Sequence, residues 1–123
     1  MSKHPVNLAV RFILEITAII FYGIWGFGLS DSWPRFVLAI LFPLVFAVLW
    51  GVFAVPNDPS RSGKTVVPTP GMIRLILELG LFATAAWMLT DLGYSQLTMI
   101  FGIAIGAHYI FSFDRIIWLL KQK

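Results

Sequence analysis

Arg11-Phe12-Ile13-Leu14-Glu15 returns later in the chain as Arg74-Leu75-Ile76-Leu77-Glu78, each time a few residues into a long apolar run. An Arg and a Glu four positions apart, repeated inside segments greasy enough to cross a bilayer, point to a two-helix unit copied once. The recurrence also sets the costliest residues of the chain at matching depths. Working outward from each pentad, charges and turn formers mark off apolar segments at roughly 7–29, 35–55, 72–92 and 95–120. Each is close to the ~20 residues that an α-helix needs to cross ~30 Å of hydrocarbon. The expected fold is therefore all-α, a four-transmembrane-helix bundle built from two tandem helical hairpins, a 2+2 internal repeat. One membrane domain would span 1–123, with a first hairpin at 7–55, a cytoplasmic loop at 56–71 and a second hairpin at 72–120.

Composition agrees. The chain has 123 residues, of which 59% are hydrophobic and 12% charged, with a mean hydropathy of +0.85. A water-soluble domain of this size could not hide so much apolar surface in one core. Stretches such as 38–53 are apolar at odd and even positions alike, which excludes the alternation of a barrel strand. The first segment is longer than a signal-peptide core and ends in Gly28-Leu29-Ser30-Asp31-Ser32-Trp33, without a small-x-small cleavage site, so it is expected to stay uncleaved. There are no cysteines, which removes disulfides, thiolate metal sites and thiol nucleophiles.

The connections alternate in character. Residues 30–34 and 91–96 are tight and imply antiparallel hairpins. Residues 56–71 between them carry Pro56, Pro59, Pro68 and Pro70 and a polar content that keeps them outside the hydrocarbon. Lys3, Arg11, Arg61, Lys64, Arg74, Arg115, Lys121 and Lys123 fall on the side of the termini and this loop, and Arg35 alone lies opposite, beside Asp31 and Asp91. The positive-inside rule then puts both termini and the loop in the cytoplasm of a multi-pass cell-membrane protein. The net charge of +3 reflects these flanks. The basic residues form no stripe interleaved with exposed aromatics, so no nucleic-acid partner is expected.

The Arg-x-x-Leu-Glu start of the first and third segments, the Leu-Trp-Gly-x-Phe of Leu49 to Phe53 with a following Pro56, and an acidic residue, Asp114, before Arg115 resemble the bacterial YrdB family. The resemblance covers nearly the whole chain, from Asn7 to about Leu120. It implies a small four-helix integral membrane protein of the bacterial inner membrane, with no established activity and no catalytic residues to carry over.

The residues themselves go further. Counting from the cytoplasmic boundary, Glu15 and Glu78 would sit roughly 10 Å deep and Arg11 and Arg74 roughly 5 Å, where long side chains can snorkel. Asp114 and Arg115 would reach a similar level near the end of the fourth segment, giving a layer of three carboxylates and three guanidiniums with no net charge. The second segment has no ionisable group except Arg35 at its far end, so the first, third and fourth should face one another here. One reading makes the layer a clamp of interhelical contacts worth ~0.6 to 2 kcal/mol each. The other makes Glu15, Glu78 or Asp114 a site for a proton, cation or polar substrate.

His108 lies two turns deeper, with Ser112 and Arg115 on its face, where it could relay protons toward Asp114 or Glu78 or simply bond a neighbour's carbonyl. No metal site is expected, because the only other histidine, His4, is at a terminus expected to be disordered. Gly102 and Gly106 on the fourth segment, with Gly80, Ala83 and Ala86 on the third, offer small surfaces for close packing. Pro43 should kink the second segment and free the carbonyl near Ala39. Trp25, Trp33, Trp50, Trp87, Trp118 and Tyr94 read as interfacial anchors.

Gly63-Lys64-Thr65 mimics the end of a phosphate loop, but Asp58 stands where the earlier glycine is needed. Gly23, Gly26 and Gly28 lie in a membrane helix and cannot cradle a dinucleotide. The basic loop could touch anionic headgroups. No cofactor is expected, and no enzyme, since no nucleophile, base and orienting residue fall together. The function expected is a structural or partner-subunit role in the lipid bilayer. The alternative is a small proton-linked transporter or channel, for which a chain this short would favour a homo-oligomer.

Overall fold

A computed structural model describes residues 4–58 and 65–122. The helices are α1 (Pro5–Phe27), α2 (Pro34–Val52), α3 (Gly71–Asp91), α4 (Ser95–Phe111) and α5 (Phe113–Leu120). The first two starts are chemically marked. Pro5 opens α1 at a position whose N–H has no helical partner, and the Nδ1 of His4 accepts the Val6 N–H at 3.2 Å. His4 is thus an N-cap and not a disordered residue. Pro34 opens α2 in the same way. The α3–α4 turn needs Gly93, whose φ of +90° is open to glycine at little cost.

Three helices, α1, α2 and α3, are individually long and apolar enough to cross a membrane, and α4 with α5 makes a fourth candidate if the bent pair is one span. Their outward faces are apolar, as at Ile13, Ile20, Ile40, Leu44, Ile76, Ile100 and Ile103, all exposed. Such contiguous apolar surface suits a hydrocarbon solvent. Inward, Leu14, Ala18 and Tyr22 of α1 meet Leu81, Phe82, Ala85, Met88 and Leu89 of α3, with Phe46, Phe101 and Tyr109 closing the core.

The fourth segment is not the continuous helix expected over 95–120. It breaks at Ser112, and α5 turns away from α4 by 69°. Leu119 then comes to rest on Gly71, where any Cβ would run into the Leu119 carbonyl, and the Gly71 N–H donates to Gln122 O at 3.0 Å.

The glycines also pack differently from the expectation. Gly102, Gly106 and Gly80 have nothing within 4 Å of a notional Cβ, and Ala83 is exposed. The close approach is made instead by α1 against α2. A Cβ at Gly26 would strike the Leu38 carbonyl, and one at Gly23 would lie 3.2 Å from the Ala39 oxygen and from the Pro43 ring. Pro43 stays inside α2, and the carbonyl that it leaves without a helical donor faces Gly23.

Residues 53–69 hold a feature that the apolar pattern does not suggest. β1 (Phe53–Ala54) and β2 (Val67–Pro68) pair in parallel, Phe53 opposite Val67, and the Thr69 N–H donates to Ala54 O at 2.9 Å. Between them, Val55-Pro56-Asn57-Asp58 forms a turn in which Asp58 N donates to Val55 O at 3.2 Å and Asn57 takes a φ of 65°. Pro at the second position and a left-handed Asn at the third fit a type II turn. This turn carries Asp58 beneath the helices, where it is 5% exposed.

Candidate functional site

The layer is built around Glu78, which is fully buried on α3. Oε1 accepts from the Tyr109 hydroxyl at 2.7 Å and from Arg115 Nη1 at 2.9 Å. Oε2 accepts from Arg11 Nη2 at 2.9 Å, Arg74 Nε at 2.6 Å and Arg115 Nη2 at 2.7 Å. Both oxygens are therefore surrounded by donors, four of the five contacts coming from guanidiniums. Charge-assisted bonds of this kind are the strong class, and buried charges are tolerated only when so paired.

Each guanidinium ties Glu78 to a different part of the molecule. Arg74, four residues earlier on the same helix, donates through Nη1 to Trp50 O and Phe53 O, both at 2.6 Å. These carbonyls stand where α2 ends, and a helix end leaves such groups without internal partners. Arg115 faces two carboxylates at once: Nε and Nη2 reach the Asp58 oxygens at 3.1 and 2.6 Å, while Nη1 and Nη2 reach those of Glu78. A planar fork with five N–H groups can do this, and an ammonium cannot. The bend at Ser112 turns α5 so that Arg115 and Leu119 are buried while Phe113 and Ile117 remain exposed.

Arg11 brings in α1. Besides its bond to Glu78, its Nε lies 3.4 Å from Glu15 Oε1, and Trp50 Nε1 donates to that same oxygen at 2.9 Å. The Trp50 ring carries the Arg11 and Arg74 guanidiniums at 5.0 and 4.8 Å from its centroid. Trp50 thus forms an inner wall of the layer. α2 contributes this ring and two backbone carbonyls without contributing a charge.

Of the residues singled out in the sequence, Arg11, Arg74, Glu78 and Arg115 come together, and Glu15 joins at the rim with a quarter of its side chain exposed. Asp114 does not sit in the buried network. It lies on the exposed side of α5, because the bend that turns Arg115 inward turns its neighbour outward. Asp58 is the third carboxylate instead. The signal for it was Pro56-Asn57, a turn pair placed at the end of the second apolar segment, where the next acidic residue is folded back toward the helices. Tyr109 was likewise missed, one residue from His108 on the α4 face toward Glu78.

His108 is buried, 3% exposed, and its Nδ1 lies 3.2 Å from the Asn7 Oδ1. Asn7 Nδ2 donates to Ser112 Oγ at 2.7 Å. The contact joins α1 to the α4–α5 break and leads toward neither Asp114 nor Glu78. Among the described residues no three His, Asp or Glu side chains are grouped to hold a metal ion. The mimic of a phosphate loop at 63–65 lies mostly outside the described residues, as do Lys3, Arg61, Lys64 and Lys123, which entered the count of basic flanks.

The profile of a family described as protein of unknown function, DUF2568, matches residues 9–105. The uncharacterized protein YrdB of Bacillus subtilis (strain 168) is 41% identical over 119 residues, covering 97% of this chain and 97% of that protein. No solved structure matches the chain. The match takes in both pentads, Trp50 and Glu78, and on this evidence the chain belongs to the DUF2568 family of proteins of unknown function.

Proposed function

We propose that this chain is a non-enzymatic, multi-pass protein of the bacterial cell membrane with a structural or partner-subunit role, and that its charged layer is a clamp. The observation that carries this reading is Glu78, fully buried with both oxygens engaged by three guanidiniums and a hydroxyl. An acid so enclosed has no oxygen open to a substrate, and its donors join α1, α3, α4, α5 and, through Arg74 and Arg115, the end of α2 and the loop at Asp58. In this reading α4 crosses the membrane alone, its 17 residues spanning ~26 Å at 1.5 Å per residue, and α5 lies along the cytoplasmic boundary. The two hairpins, α1–α2 and α3–α4, descend from one duplicated unit, and both termini are cytoplasmic. A reporter enzyme fused after Lys123 is active only on the cytoplasmic side; strong periplasmic activity would overturn this topology.

A second reading, a small proton-linked transporter or channel, is favoured by one specific observation. Glu15 is the carboxylate of the layer with an exposed face and, among the described residues, two partners, Arg11 at 3.4 Å and the Trp50 N–H. Of the three acids on which that reading could rest, Glu15 carries it, because Glu78 is enclosed and Asp114 is outside the network. Purified protein in liposomes distinguishes the two readings. The clamp passes no protons or solute under a pH gradient, whereas a flux abolished by Glu15→Gln would replace the clamp with a transporter.

A further inference from the structure

Arg11, Arg74 and Arg115 all meet Glu78, but Arg35 has no such counterpart. It is the second residue of α2, at the end of that helix away from Trp50 and the charged layer. Among the described residues it enters no ion pair and no side-chain hydrogen bond. The first turn of α2 carries no acid, Asp31 points into the surroundings as an exposed residue, and Asp91 Oδ2 accepts from Trp25 Nε1 at 2.9 Å.

What the side chain does touch is aromatic. The Arg35 guanidinium carbon lies 3.8 Å from the centroid of the Phe27 ring, and the Phe36 ring meets Phe27 edge-on at 5.8 Å. A planar guanidinium laid on a ring face is held in place while its N–H groups stay free at its edge. Of its three nitrogens only Nε is closed off, so Nη1 and Nη2 remain open to what surrounds the protein. A fixed cation with two free donor groups calls for an anion with two acceptors.

The neighbourhood narrows what that anion can be. Trp33, Phe36 and Ile40 are exposed beside it, with Phe36 and Ile40 one helical turn apart on the same face of α2. The anion must therefore arrive with hydrocarbon attached. A helix end bearing an exposed Trp and a half-buried Arg also belongs at the level of the headgroups.

We propose that Arg35 anchors a phospholipid at the turn between α1 and α2. Nη1 and Nη2 donate to two oxygens of the phosphate, Phe27 holds the guanidinium flat, and the acyl chains lie along Phe36 and Ile40. The inference rests on the reading of α1 and α2 as membrane spans. It is independent of the clamp, and of which leaflet this turn occupies.

The test uses the full-length protein in a nonionic detergent, titrated with dioleoylphosphatidylglycerol and followed by native mass spectrometry. One lipid per chain is retained at saturation. Arg35→Gln weakens binding about tenfold and melts as the parent does, because it removes no bond within the protein. Phe27→Leu weakens binding about threefold through loss of the ring beneath the cation, and dioleoylglycerol, with the same chains and no phosphate, binds at least about tenfold more weakly than the phospholipid. Lys121→Gln, a change at an exposed cation on the other end of the molecule, leaves binding unchanged. Absence of saturable binding overturns the proposal, as does undiminished affinity in Arg35→Gln or for dioleoylglycerol. A loss in Lys121→Gln as large as in Arg35→Gln would reduce the binding to unspecific attraction and overturn it too. Displacement of the lipid by an equal concentration of inorganic phosphate would overturn it in favour of a free anion, and a dimer that Arg35→Gln dissociates would overturn it in favour of a carboxylate from a second copy.

Discussion

Arg11 and Glu15 on α1 and Arg74 and Glu78 on α3 have the same spacing, the same apolar flanks and nearly the same sequence between them, yet they end in opposite environments. Glu78 is fully buried and contacts Arg11, Arg74, Arg115 and Tyr109, while Glu15 is a quarter exposed and meets Arg11 at 3.4 Å and the Trp50 N–H. The two arginines diverge as well. Arg74 has its Nη1 committed to the carbonyls at the end of α2, whereas the Nη1 of Arg11 is unpartnered among the described residues. A local motif therefore places a charge at a depth and on a face, but the number of partners depends on which helices converge there. α3 is central, touching α1, α4 and α5, and α1 has α2 on its outer side.

The sharpest way to break this comparison is to neutralise each acid in turn. Glu78→Gln leaves three guanidiniums short of a buried counter-charge and is expected to destabilise the protein by about 3–5 kcal/mol. Thermal unfolding in detergent and the yield of extracted protein measure the loss. A Glu78→Gln protein that melts like the parent would remove Glu78 from the centre of the layer.

Next in size is the loop acid. Asp58→Asn keeps the shape of the side chain but removes a charge from the fork of Arg115, and should cost about 1.5–3 kcal/mol. Protease cleavage within the central loop should accelerate in parallel, because Asp58 joins that loop to Arg115 of α5. Unchanged stability and cleavage would mean that the loop contributes nothing to the clamp.

A contrast between two helix faces follows. Gly26→Ala forces a Cβ into the Leu38 carbonyl and should destabilise by about 1–3 kcal/mol. Gly102→Ala meets nothing within 4 Å and should be neutral or stabilising by up to about 1 kcal/mol, through helix propensity alone. Loss of stability at Gly102 in detergent would show that α4 uses this face in a contact between chains.

The smallest effect is expected at the rim. Glu15→Gln removes one partly exposed ion pair and weakens the bond from Trp50, for less than about 1 kcal/mol. Melting curves of Glu15→Gln and Glu78→Gln should therefore separate clearly. If they coincide, the two pentads are equivalent after all, and the asymmetry between α1 and α3 is without energetic weight.

Much of this was legible in the residues. Long apolar runs bounded by Pro34, by Pro70-Gly71 and by Leu92-Gly93-Tyr94 marked α1, α2 and α3 almost to their ends, and the start of α4, because helix punctuation is local chemistry. Five charged residues of the layer, Arg11, Glu15, Arg74, Glu78 and Arg115, could be named because a charge inside an apolar helix is too costly to be idle. The break at Ser112 was not legible. Residues 95–120 read as one apolar segment, and what bends it is a nonlocal gain, Arg115 reaching Glu78 and Asp58 while Leu119 settles on Gly71.

Small residues teach the same division. Gly102-x-x-x-Gly106 has the spacing of a packing step and remains open, whereas Gly23 and Gly26 bear the close crossing of α1 on α2. Spacing says where a backbone could approach, and only the arrangement of the neighbouring helices says where one does. By itself, the sequence determined that the chain is helical, that its outer surface is apolar, and that Arg and Glu recur at one depth, since these follow from hydrophobicity and period. Tertiary structure alone decided that Glu78 rather than Glu15 becomes the hub, that Asp58 displaces Asp114, and that Trp50 faces inward. Those outcomes depend on which side chains from distant segments meet in a low-dielectric interior, where a charge must gather enough donors to be buried at all.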